Sequence, residues 1–68
     1  MIPKEIIDLL NKQVALEADS AQIYLAMAIW LDVRGFQGSA KFMYAQTEEE
    51  RGHMMKIMKY LLEVGQTP

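Results

Sequence analysis

Three side chains in this chain have the types and spacing to hold a cation: Glu17, Glu50 and His53. Glu50-Arg51-Gly52-His53 places a carboxylate and an imidazole three residues apart, which puts both on one face of a helix. Glu17 lies on an earlier segment, and Gly35 separates the two. Glu17 is 18 residues before Gly35, His53 is 18 after it and Glu50 is 15 after it. If the chain reverses at Gly35, the three meet with a mismatch of at most ~5 Å, about one helical turn. Their donors are hard oxygen and imidazole with no sulfur, a set that suits iron, manganese or zinc. A lone Glu-x-x-His occurs often by chance; the second Glu at matching depth gives it weight.

The elements that would position them read as two long helices. Pro3 suits a first helical turn, and no Gly or Pro interrupts the chain from there to Arg34. Gly35-Phe36-Gln37-Gly38 is the internal break, its glycines supplying the freedom a reversal needs. Gly38 or Ser39 is the expected cap of a second helix, Gly65 its stop, and Pro68 a further barrier. The expected boundaries are helix 3–34, turn 35–38 and helix 39–64. Long helices with a short connection form antiparallel pairs within bundles. The fold class is therefore all-α, an antiparallel two-helix hairpin.

Alternating steps of four and three pick out Ile6, Leu10, Gln13, Glu17, Ser20, Tyr24, Met27 and Leu31 on the first helix. On the second they pick out Ser39, Met43, Gln46, Glu50, His53, Ile57, Tyr60 and Val64. Both stripes are apolar toward the ends and polar in the middle. A carboxylate inside a core stripe is costly unless paired or bound to a cation. Gln13, Gln46 and Ser20 read as polar groups supporting the ligands or the fold. Trp30, Met55 and Leu62 fall off this stripe and read as subunit contacts.

Size and charge narrow the alternatives. The chain has 68 residues and no cysteine, so disulfides cannot compensate for a small core. Metal or self-association must do so. A net charge of -2 with scattered basic residues argues against nucleic acid and against an anionic membrane surface. No uninterrupted apolar run approaches the ~20 residues that span a bilayer. Lys4, Glu5 and Asp8 interrupt any signal peptide, so a cytoplasmic location and no membrane partner are expected.

Leu16-Glu17, Tyr24-Leu25-x-Met27, the Gly35–Gly38 turn and Glu49-Glu50-x-x-His53 together resemble the prokaryotic non-haem ferritins, within the ferritin-like diiron-carboxylate superfamily. The resemblance covers essentially the whole chain and corresponds to the N-terminal half of those proteins. It implies oxidation of ferrous iron by dioxygen or peroxide at a dinuclear non-haem iron site, a ferroxidase reaction in support of iron storage. Zinc or manganese are possible substitutes for iron. By position it implies Glu17 as a terminal ligand, Glu50 as a bridge and His53 as the nitrogen ligand. It also implies an accessory iron site at Glu49 and a hydrogen-bonding or electron-supplying role for Tyr24. Family members carry a second hairpin with the remaining carboxylates. The hairpin here is thus expected to be half of a four-helix bundle, completed by a second copy of itself or by a missing C-terminal half. The competing expectation is a structural, self-associating hairpin with no competent metal site.

Overall fold

The computed structural model describes residues 2–65. It is a hairpin of two helices, α1 (Lys4–Val33) and α2 (Gln37–Glu63). The expected reversal at Gly35 is a closed hydrogen-bonded stop. Gly35 has φ +85°, a left-handed conformation that a side chain would resist. Its N–H donates to Asp32 O at 3.0 Å, and the N–H of Phe36 donates to Leu31 O at 2.9 Å. This paired pattern satisfies carbonyls that the last turn of α1 would otherwise leave orphaned. Arg34 reinforces the same end: its Nη1 donates to Trp30 O at 3.1 Å and its guanidinium lies 3.9 Å from the centre of the Trp30 ring. Gly65 repeats the stop at the end of α2, with φ +81° and its N–H donating to Leu62 O. Pro68 lies outside the described residues.

The start of the second helix differs most from expectation, the other three ends by one residue. The second helix starts at Gln37, because Phe36 O already accepts the first helical bond, from the Ala40 N–H at 2.9 Å. Neither Gly38 nor Ser39 is the cap; both belong to the first turn, and no side chain caps this helix.

The packing line also lies one position over from the expected stripe. The buried residues are Ala21 and Ala28 on α1 and Ala40, Thr47 and Leu61 on α2. With half-buried Ile7, Val14 and Met54 they complete two strict sevenfold series, 7/14/21/28 and 40/47/54/61. Counted from the turn, 28 falls level with 40, 21 with 47, 14 with 54 and 7 with 61. Mostly small side chains on this line let the helices approach closely. Thr47 meets its polar need locally, its hydroxyl donating to Met43 O at 2.9 Å.

The expected stripe forms a second line beside the first. Leu10, Glu17, Tyr24 and Leu31, with Met43, Glu50 and Ile57, are half-buried. Ile6, Met27 and Tyr60, expected in the core, are 44%, 46% and 44% exposed. The stripe straddles two faces, one closed by the partner helix and one open.

The hairpin measures 50 × 16 × 13 Å with a radius of gyration of 15.0 Å. A compact chain of this length would have about 11 Å. Contrary to the sequence expectation, α1 is long and apolar enough by length and composition to cross a membrane: an 18-residue window has mean hydropathy 1.2 and is 11% buried. A windowed average passes over isolated charges, and every such window contains Glu17 and Asp19.

Candidate metal centre

Glu17 projects from the middle of α1, Glu50 and His53 from the middle of α2, and the hairpin brings them together. A ligating atom from each lies within 4.8 Å of the other two. His53 Nδ1 is 3.7 Å from Glu17 Oε2 and 4.0 Å from Glu50 Oε1. Both gaps are too long for hydrogen bonds. Donors bound to one cation at ~2.1 Å sit roughly 3.0–3.4 Å apart at right-angled or tetrahedral disposition. The observed gaps exceed that by a few tenths of an ångström, which a side-chain torsion can close.

The site's electrostatics follow from its burial. The Glu17 side chain is 13% exposed and Glu50 21%, while His53, at 48%, forms the open rim. Gln13, one turn before Glu17, donates from Nε2 to Glu17 Oε1 at 2.8 Å. The other oxygen, Oε2, is buried and has no partner. A proton on Glu50 would supply the missing donor, and the two acids are pushed apart accordingly. Glu17 is held below the usual carboxylate range, first by the hydrogen bond from a protonated Glu50 and then by Gln13. Glu50 is pushed above it, by holding that proton for Glu17, by burial, and by Glu17's charge. A divalent cation would offset both carboxylate charges and give the orphaned oxygen a partner, so the donor set fits one.

The other sequence-derived candidates stand apart from the cluster. Glu49 is exposed, and Tyr24 is half-buried one heptad beyond Glu17; neither belongs to the three-residue group. Among the polar neighbours, Gln13 is the one bonded to a ligand. The sequence reading missed a contact nearer the turn, where the Tyr44 hydroxyl donates to Asp32 Oδ2 at 3.0 Å. That bond raises the Tyr44 phenol above its ordinary range. A hydroxyl at the end of a long ring gives no periodic signal, so spacing could not reveal it.

Comparison with known proteins agrees with the architecture. The model of the ferritin-like domain matches residues 7–68. A probable bacterial non-heme ferritin-like protein of Haemophilus influenzae is 43% identical over 65 residues, covering 96% of this chain and 39% of that protein. The bacterial non-heme ferritin of Escherichia coli O6:H1 is 35% identical over 68 residues, 100% of this chain and 41% of that one. That of Campylobacter jejuni is 36% identical over 63 residues, 93% and 38% respectively. The chain spans about two-fifths of the length of the curated relatives it matches. No solved structure matches significantly. With the family model covering nearly all of its length and both helices, this chain belongs to the ferritin-like family.

Proposed function

We propose that this hairpin is an iron-binding module, its ligands supplying half of a dinuclear carboxylate site at which ferrous iron is oxidised in support of storage. The observation that carries the reading is the buried, unpartnered Oε2 of Glu17 facing Glu50 and His53 in a cluster no wider than 4.8 Å. Such an arrangement is unfavourable in the absence of a cation. Iron is the substrate here. Two ferrous ions give up one electron each, and dioxygen takes both with two protons to leave as hydrogen peroxide.

Each side chain has a distinct part. Glu17 and Glu50 give the charge that favours the ferric over the ferrous ion. His53, on the exposed rim, is the neutral donor that keeps affinity for the ferrous ion adequate. Gln13 fixes the Glu17 carboxylate so that Oε2 stays turned to the site. Tyr24 and Glu49 have supporting roles in this reading, the first as a hydrogen-bonding or electron-supplying group and the second as an accessory iron ligand. The names of the relatives, bacterial non-heme ferritins, support iron as the metal.

Aerobic titration of ferrous iron into the 68-residue chain tests the proposal. Near-ultraviolet absorbance of a carboxylate-bound ferric product should rise with iron and be lost in Glu50→Ala. Identical traces for parent and variant would reject the site and leave a structural hairpin.

A further inference from the structure

Resting on that reading, we propose that Gln46 is a positioning residue for Glu50, its side-chain amide holding one carboxylate oxygen while the other is left to the cation.

The two ligand carboxylates share a local sequence pattern. Glu17 follows Gln13 by four residues, and Glu50 follows Gln46 by four. Residues four apart share a helix face, and a glutamine amide at that spacing reaches a carboxylate one turn on. The first pair does so: Gln13 Nε2 donates to Glu17 Oε1 at 2.8 Å, and Oε2 is left to face the cluster. One oxygen is steadied and the other presented.

Glu50 needs the same division. A carboxylate accepts at both oxygens, so one that binds an ion through a single oxygen has the second to satisfy. Glu50 is mostly buried, with Oε1 facing His53 Nδ1 at 4.0 Å. Few groups on α2 can serve the rest of it. Of the residues three and four positions away, His53 is itself a ligand candidate and Met54 has no donor. Thr47 already donates its hydroxyl to Met43 O. Gln46 is left. It is half-buried, and among the described residues its amide makes no hydrogen bond. A half-buried amide without a partner is costly. In the hairpin without an ion, Glu50 is drawn toward Glu17 instead. A cation between the two acids takes over that contact and frees the second oxygen for Gln46.

Because the helices are antiparallel, the two glutamines lie at opposite ends of the cluster. Gln13 is about 6 Å from Glu17 toward the open end, and Gln46 about 6 Å from Glu50 toward the turn. Each carboxylate is thus braced from a different side. Ser20 lies at the depth of Glu50 on α1, but its hydroxyl is one bond beyond Cβ, whereas the Gln46 amide nitrogen is three bonds beyond.

Calorimetric titration of the 68-residue chain with zinc, a redox-silent probe, tests this. Gln46→Met keeps the length of the side chain and removes its donor. It should weaken zinc binding about 10–100-fold and leave the metal-free melting temperature unchanged. Cobalt in place of zinc adds a spectroscopic reading. Its visible bands, which report how carboxylates bind it, should change in Gln46→Met and stay parent-like in Tyr44→Phe. Parent-like zinc affinity in Gln46→Met overturns the positioning role and keeps the metal site, and a loss found in Ser20→Ala instead would move the role there. A loss of affinity matched by a lower metal-free melting temperature, with parent-like cobalt bands, makes Gln46 merely structural and also overturns it. A parent chain that binds no zinc overturns both the role and the site.

Discussion

Replacing Ala21 with leucine should damage the metal centre without altering a ligand. Ala21 lies one turn beyond Glu17 on the small-residue line where α1 meets α2, and it is 6% exposed. Leucine adds three carbons to a contact with no room for them, at a cost of about 1–3 kcal/mol. The helices relieve it by moving apart. A separation of ~1 Å would carry the 3.7 Å gap between His53 and Glu17 to about 4.7 Å. That is more than an ångström beyond the ~3.0–3.4 Å of two donors sharing one ion, so closing it strains the side chains well beyond what the parent requires. Zinc affinity should therefore fall tenfold or more.

Leu61→Ala is the control. Leu61 is fully buried, but it lies 11 residues past Glu50, roughly 16 Å along the helix. Its truncation should cost about 2–5 kcal/mol and leave the ligand spacing intact. Helix dichroism on heating would report stability, with the melting temperature dropping about 4–8 °C for each kcal/mol lost. Calorimetric zinc titration at a temperature where all three proteins are folded would report the site. Parent-like zinc affinity in Ala21→Leu would refute the claim that the small-residue line sets the ligand spacing.

Further outcomes are expected elsewhere. Gln13→Leu removes the donor to Glu17 Oε1 and should weaken zinc binding about 10–100-fold in titration, the usual cost of losing a ligand's supporting bond. Tyr44→Phe loses the bond to Asp32 and should lower stability by about 0.5–1.5 kcal/mol in urea unfolding, with zinc affinity unchanged. Gly35→Ala has space for the added carbon, but φ +85° is unfavourable for it, so denaturation should show a loss of about 1–2 kcal/mol. The opposite shifts of Glu17 and Glu50 give the metal-free chain an unusual pH profile. Because Glu50 is raised in the folded state, its contribution is greatest below the ordinary value of 4.5 and is lost as pH rises through the raised value. Glu17, lowered, contributes above 4.5 and is lost as pH falls through its folded value. Metal-free stability should thus peak in mild acid. In melts across pH, Glu50→Gln should flatten the decline above that peak.

The sequence discloses the site more fully than the packing. Glu17, Glu50 and His53 are conspicuous because they interrupt apolar stripes, and their distances from Gly35 state that they meet. The true contact line is inconspicuous for the opposite reason. Ala21, Ala28, Ala40 and Thr47 carry little hydrophobic signal beside Ile6, Met27 and Tyr60, so the larger residues look like the core. What decides burial between adjacent α-helices is how near the backbones come, and small residues decide that. The start of α2 was obscured likewise: Gly38 and Ser39 suit a cap by type, but the backbone carbonyl of Phe36 serves instead.

The division into two lines bears on how the candidate site is held within the folded hairpin. A buried carboxylate pair opposes folding, yet here it lies beside the small-residue line and not on it. Helix approach is fixed by 7/14/21/28 against 40/47/54/61, so the ligands are held at their spacing by contacts that need no metal. The same offset turns the ligands toward the uncovered flank, where an ion can enter past His53. Had Glu17 taken the place of Ala21, it would lie between the helices, shut off from any entering cation. Displacing the acids toward the open face reconciles a rigid hairpin with ligating groups that stay accessible.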